Sequence, residues 1–307
     1  MTDEAGRDGG KARRVCAAVG LYRPDAALLR RLAEGLAGLR LIAVANGPLA
    51  PEAAGALAGA DLRRIDLATN IGLGAGLNAA ARTAAGEGYS HVLLLDQDSE
   101  PAPGLASALL REAKRLDAAG RRAGVVAPLL TPPEGYRAMR YAWREAGAEA
   151  AAVDFAPTSG SLLDLAAYRE VGPFRDDFFI AGLDVEWGFR AWSRGWGSYV
   201  AKRLAMPHRW GEADESDRPQ ILRHAPIRNY YYARNVLATA RLAHVPLAWK
   251  ARSCATLAAQ IAILAAKGAP GALAPVRAGL RDGALGRMGP APEGFGRARV
   301  AAKGATG

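Results

Sequence analysis

A chain of 307 residues is long enough for one large domain or two small ones, and its balance of 50% hydrophobic and 23% charged residues is that of an ordinary globular protein. Only two cysteines occur, Cys16 and Cys254, far apart and in apolar settings, which excludes a disulfide framework and a zinc site and points to a reducing compartment. A formal net charge of +10 favours anionic partners: nucleotides, nucleic acid or an anionic membrane surface.

Taken in order, residues 1–14 are glycine- and charge-rich with no apolar run inside them, which predicts a disordered start and no signal peptide. Val15–Leu21 reads as a first strand. Asp25 is placed to cap a helix over Ala26–Gly38, where Leu28, Leu29, Leu32, Leu36 and Leu39 recur with helical spacing. Leu41–Val44 is a second strand ended by the turn signal Asn46-Gly47-Pro48, a short helix follows around Pro51–Ala58, and Leu62–Leu67 is a third strand. Strand and helix alternating in this way predict a parallel sheet covered on both faces.

Thr69–Ala80, TNIGLGAGLNAA, sets glycines 72, 74 and 76 between a strand and a helix start. Free amides at a helix N-terminus favour a phosphate, although the spacing is not G-x-G-x-x-G. The alternative is a turn that packs helix against strand. His91–Leu95 is an apolar run of the kind buried parallel strands show, and it stops at Asp96-Gln97-Asp98. Two carboxylates at i and i+2 beyond a strand's carboxyl end can reach one hard cation and a ribose or phosphate together. An acidic solvated turn is the competing reading. Gly104–Arg115 reads as the next helix, Gly124–Leu130 as a strand, and residues 131–151 as an irregular excursion with Tyr136, Arg137, Arg140, Tyr141, Trp143 and Arg144.

In the second half, Val153–Leu165 carries small residues, Thr158-Ser159-Gly160-Ser161, that would let backbone approach a ligand closely. A short helix at Ala166–Glu170 follows. On a helix starting near Asp184, Asp184 and Trp187 share a face and Glu186 and Arg190 form an i,i+4 pair. The helix dipole favours an ionised Asp184, the state a general base needs. The alternative is a capped amphipathic helix with no chemistry. Tyr199–Arg203 is a further strand, followed by His208, one of four histidines, and by a charged loop at Glu212–Arg218. Ile227–Asn235 opens a helix whose Arg228 and Arg234 are suited to phosphate oxygens but do not share one face. Residues 238–266 read as mostly helical. Ser253–Ala266 is apolar with Lys250, Arg252 and Lys267 at its flanks, and is shorter than the roughly 20 residues that span a membrane. It fits packing on the domain or lying in a membrane interface.

The motifs Y-R-P-D after strand one, V-A-N-G after strand two, N-I-G-L-G-A-G-L-N and L-L-D-Q-D-S-E-P, in this order, resemble family 2 glycosyltransferases of the GT-A fold, most of all the bacterial rhamnosyltransferase branch, over residues 15–240. R-N-Y-Y-Y-A-R-N at 228–235 also resembles that branch. The resemblance implies an α/β fold: a single Rossmann-like nucleotide-sugar-binding domain with a mostly parallel sheet at 15–225, a helical extension at 226–284 and a disordered tail at 285–307. It implies inverting transfer with Asp184 as base. On the donor side it implies Tyr22, Asn46, Asn70, Gly72, Asn78, Asp96, Gln97, Asp98, Arg228 and Arg234. On the acceptor side it implies Ser159, Gly160, Glu186, Trp187 and Arg190. Asp96, Asp98 and His208 would hold Mn²⁺ or Mg²⁺. The family's strand-two Asp is replaced by Ala45, leaving the base contact to Asn46 or to backbone.

The expected donor is dTDP-rhamnose and the expected acceptor a cell-surface polysaccharide or a lipid-linked glycan precursor. The expected location is the cytoplasm, with peripheral contact to an anionic membrane, no nucleic-acid partner and no assigned oligomer. A galactofuranosyl- or other hexosyltransferase using a UDP-sugar is the sister reading. A non-catalytic nucleotide- or polyanion-binding module is the reading from another class.

Overall fold

The computed structural model describes residues 14–133, 138–145, 149–208, 225–266 and 270–294. Residues 1–13 of the expected disordered start, Tyr136 and Arg137, the charged loop at 212–218, Lys267 and the last part of the expected tail, 295–307, lie outside the described residues.

Eight strands form one sheet in the order β3-β2-β1-β4-β7-β5-β8-β6. β1 (Val15–Leu21), β2 (Leu41–Asn46), β3 (Leu62–Leu67) and β4 (His91–Leu95) are mutually parallel. β2 and β4 are buried along their whole length, as continuous apolar runs require. β3 lies at the edge and carries Arg63, Arg64 and Asp66, charges that discourage pairing with another chain. The chain then departs from a purely parallel plan. β7 (Ser161–Asp164) runs antiparallel between β4 and β5 (Ala123–Thr131), while β8 (Gly197–Pro207) is parallel to β5 and antiparallel to β6 (Ala150–Val153). β6 begins in the stretch read from sequence as irregular. Its four residues, AAAV, carry little strand signal.

Helices cover both faces. Leu29 and Leu32 of α1 (Ala26–Gly35), Ala53 of α2 (Pro51–Gly55) and Leu105, Leu109 and Leu116 of α4 (Leu105–Ala118) bury one face. Asp25 caps α1, accepting from the amides of Ala27 and Leu28 at 2.8 and 3.0 Å, a cap of about 1 kcal/mol. The other face lies under α3 (Leu73–Gly86), α5 (Leu165–Val171) and α6 (Leu183–Ser193), through Leu77, Ala81, Tyr168, Leu183 and Trp187. α7 (Pro226–Ala240), α8 (Leu247–Ala266) and α9 (Pro270–Leu285) bury Ala233, Val236, Leu257, Leu264 and Val276 in a third cluster. The chain past α9, expected to be disordered from 285, folds back onto the body: the Gly289 amide donates to Asp177 O at 2.7 Å and the Ala291 amide to the Tyr231 hydroxyl at 2.8 Å. Among the described residues no helix is long and apolar enough to cross a membrane.

Candidate functional site

The strand order reverses between β1 and β4, and in open α/β sheets the crevice beyond the carboxyl ends at such a point is where ligands bind. Tyr22, which is 46% exposed, follows the end of β1 there, and Asp96 follows the end of β4. The Gln97 side chain crosses the gap, its Oε1 accepting from the Tyr22 amide at 2.9 Å. Gln97, expected on the donor, thus ties two strand ends together.

Asp96 is half-buried and Asp98 exposed. Burial raises the pKa of Asp96, and so does the neighbouring Asp98 carboxylate. The charges of His208 and Arg228, and a hydrogen bond from Ser159, act against this rise. The chain arranges these neighbours in three ways. The amide of Asp96 donates to Ser99 Oγ at 3.0 Å, and that hydroxyl is 3.0 Å from Ser159 Oγ. Ser159 Oγ is in turn 3.4 Å from His208 Nδ1. The antiparallel course of β7 sets Ser161 beside Leu94, so the residues just before it reach the carboxyl end of β4. A register shift in β8 opposite Pro128–Leu129, at a proline that has no amide to donate, precedes His208, whose amide bonds Thr131 O at 3.0 Å. Ser159, predicted on the acceptor side, therefore stands among the acidic and imidazole groups. Ser99 was given no role from sequence. Its place in D-Q-D-S, directly after the second acid, was the signal.

Asp184 opens α6. Burial lifts its carboxyl from 3.8 to about 6, outweighing the hydrogen bond it accepts from the Val185 amide at 2.9 Å, and the charge of Asp96 adds to the rise. The helix N-terminus by itself favours the ionised form. Burial is the larger effect here.

Several predicted residues are placed inside the protein rather than at the cleft. Asn78 is buried and fully engaged, donating to Phe174 O and accepting from the Tyr168 hydroxyl and the Phe174 amide, each at 2.9 Å. Asn46 is 4% exposed, beside the buried Ala45, and faces the loop before α3, near the Ile71 amide and Gly72 O. Asn70 accepts from the Gly72 amide at 2.9 Å. Gly72, at φ 93°, lets the backbone of Phe179 approach: a β-carbon there would lie 2.7 Å from Phe179 O. The first amide of α3, on Leu73, donates to that same carbonyl at 2.7 Å, so the expected phosphate cradle holds a piece of the chain instead.

Gly160 likewise presses against Met206. Glu186 is 1% exposed and paired with Arg190 and His244, and Arg190 also donates to Val171 O and Pro173 O. Trp187 is buried and donates to Gly172 O. Arg234 is fully buried and spent on backbone carbonyls, whereas Arg228 is exposed, with its charge felt at Asp96.

Two carboxylates and an imidazole suit a hard or borderline divalent cation chemically, and the half-buried Asp96 would gain from one. Yet among the described residues no three His, Cys, Asp or Glu side chains converge to hold a metal ion. Asp96, Asp98 and His208 are therefore not a preassembled tripod.

No family model matches this sequence. A stretch of 93 residues, 29% of the chain, is 31% identical to dTDP-rhamnosyl transferase RfbF of Shigella flexneri, and spans 31% of that protein's length. In structure the chain is similar to TarS 1-349 of S. aureus (TM-score 0.51, 15% identity, 80% of this chain and 69% of that one). It is also similar to GalNAc-T7 solved with UDP, GalNAc and Mn²⁺ (TM-score 0.50, 11% identity, 78% and 54%). These likenesses bear out the resemblance to family 2 glycosyltransferases, and the architecture of this chain is the GT-A fold.

Proposed function

We propose that the chain is an inverting glycosyltransferase that moves a sugar from a nucleotide-sugar donor to a hydroxyl of a glycan or lipid-linked acceptor. The observation that carries this reading is the proximity of Asp184 to Asp96 at the carboxyl end of β4, with burial raising the Asp184 carboxyl to about 6. A carboxylate with that pKa is ionised at neutral pH yet basic enough to take a proton, as a general base must. Asp184 removes the proton of the acceptor hydroxyl as that oxygen attacks the anomeric carbon from the face opposite the leaving nucleoside diphosphate. One base suffices for this single displacement. Exposed Arg228 meets the diphosphate. Asp96, Asp98 and His208 would hold a divalent cation brought in with the donor, and the cation supplies positive charge against the leaving diphosphate.

The donor we propose is dTDP-rhamnose, on the likeness to a relative that carries that donor in its name. A UDP-sugar is the sister reading. The net charge of +10 supports peripheral contact with an anionic membrane, where lipid-linked acceptors reside.

A thermal-shift screen against nucleoside diphosphates and nucleotide sugars, with Mn²⁺ and with chelator, tests the reading. A ligand at about 100 times its Kd stabilises the fold by roughly 2.7 kcal/mol. The expected result is a Mn²⁺-dependent shift with dTDP or dTDP-rhamnose. A shift with UDP species alone moves the donor to a UDP-sugar. Metal-independent nucleotide binding with no sugar transfer points to a binding module, and no shift with any nucleotide overturns the assignment.

A further inference from the structure

The segment that leads into α6 takes an unusual path. Among the described residues three non-glycine residues have positive φ, and two are here: Phe179 at 64° and Ala181 at 69°. L side chains rarely adopt such conformations, which persist only where the surroundings impose them. All five carbonyls from Asp177 to Ala181 are claimed. Asp177 O accepts from the Gly289 amide and from Arg234 Nη2 at 3.2 Å, and Phe179 O from the Leu73 amide. Phe178 O accepts from Arg234 Nη2 at 2.8 Å and from Asn235 Nδ2 at 3.1 Å. Ile180 O and Ala181 O both lie 2.8 Å from Asn235 Nδ2. Arg234 has no solvent exposure and Asn235 only 3%. The Phe179 ring stacks on Tyr231 at 5.1 Å, so three neighbours on α7 grip one short segment. Gly182 follows, and two residues later comes Asp184.

We propose that Arg234 and Asn235 are positioning residues: they lock the backbone of 177–181 into the strained course that delivers α6, with Asp184 in its first turn, to the Asp96 end of the cleft. This rests on the reading of Asp184 as the base. Unsatisfied carbonyls away from water are costly, so a clamp that meets four of the five, with the Leu73 amide on the fifth, leaves the segment one arrangement. It also gives a use to the two buried residues that close the R-N-Y-Y-Y-A-R-N motif.

The test compares the full chain with Asn235→Ala and with Asn235→Ala combined with Ala181→Gly, below the melting temperature of each. Glycine accepts positive φ without strain, so the second change returns stability without returning the clamp. In Asn235→Ala we expect amide hydrogen exchange over 178–184 to speed at least tenfold, with β1 and β4 unchanged. We expect kcat for sugar transfer to fall tenfold or more, with donor KM and nucleoside-diphosphate Kd within twofold. The double variant should regain melting temperature and keep the low kcat.

Recovery of kcat along with stability would reduce the clamp to a structural role and overturn the inference, as would unchanged exchange over 178–184. If Asn235→Ala does not fold, the double variant against Ala181→Gly alone gives the same comparison. A wild-type chain that transfers from no nucleotide sugar, or an Asp184→Asn chain as active as wild type, overturns the proposed function itself. A fully active wild type with an equally active Asn235→Ala chain sinks only the clamp.

Discussion

The charge of Asp96, at the end of β4, reaches Asp184, at the start of α6, and adds to the rise that burial gives the Asp184 carboxyl. Two acids from distant parts of the chain thus share one field, and what is bound at the first adds to or subtracts from the basicity that burial gives the second. A cation on Asp96 would lower the Asp184 pKa, and an empty Asp96 leaves it raised.

The sign of the pH dependence follows. The folded chain holds the Asp184 proton more tightly than the unfolded chain, so this group favours folding below about pH 4. The contribution is lost as pH rises through about 6. The move from 3.8 to about 6 corresponds to on the order of 3 kcal/mol at neutral pH. Asp184→Asn should therefore melt higher than wild type at pH 7.5, lose that advantage at pH 4, and transfer no sugar at either. Melting curves at the two pH values check this, and equal shifts at both would contradict it.

Metal removal should act through the same end of β4. With chelator we expect nucleotide binding to be lost, and in Asp96→Asn we expect it lost even with excess Mn²⁺. Ser159→Ala removes the hydroxyl between Ser99 and His208, and should raise the Mn²⁺ needed for half-maximal binding about 10-fold or more. Titration calorimetry reads all three, and binding indifferent to Mn²⁺ would exclude the metal role.

Glu186 should prove structural. Its carboxylate is buried and bridges Arg190 and His244. Deleting one partner of a buried ion pair costs roughly 3–5 kcal/mol. Glu186→Ala should lower the denaturant midpoint by a corresponding amount, with Glu186→Gln losing less. A change under about 1 kcal/mol would return Glu186 to the pool of acceptor-side residues.

Glycines at positive φ should divide by what they touch. Gly72→Ala sets a β-carbon 2.7 Å from Phe179 O, whereas Gly47, also at positive φ, has open space around it. Gly47→Ala should cost about 1 kcal/mol from backbone strain alone. Gly72→Ala should cost more and also reduce sugar transfer, because it displaces the segment that feeds α6. Equal effects in both would mean that the close approach carries no weight.

Much of the parallel half of the fold was open to reading because β2 and β4 are buried along their length: β4 is apolar after His91 and then stops at an acid. The edge strand β3 matched from Leu62 to Leu67 for a different reason, clean turn signals on either side. The antiparallel β7 was hidden, since a four-residue strand, SLLD, looks alike in either direction, and with it went the place of Ser159. Arg234 misled because an arginine among tyrosines near a helix start reads as surface, and nothing in its spacing announces the three backbone carbonyls it meets. Asp184 was found by its motif, but its pKa was not. A helix terminus contributes typically 0.3–1 kcal/mol, whereas burial, which only the fold reveals, contributes more.

One continuous sheet runs under both the Asp96 side and the His208 side of the cleft. Backbone hydrogen bonds cross from β3 to β6 without a break, so the two sides have no hinge between them and cannot swing as separate lobes. The cleft floor is in effect a fixed bed. Whatever admits a donor, shields it from water and lets the spent nucleotide leave must be done by segments that stand off the sheet, and turnover limited by product release would be tuned there with the chemistry left untouched.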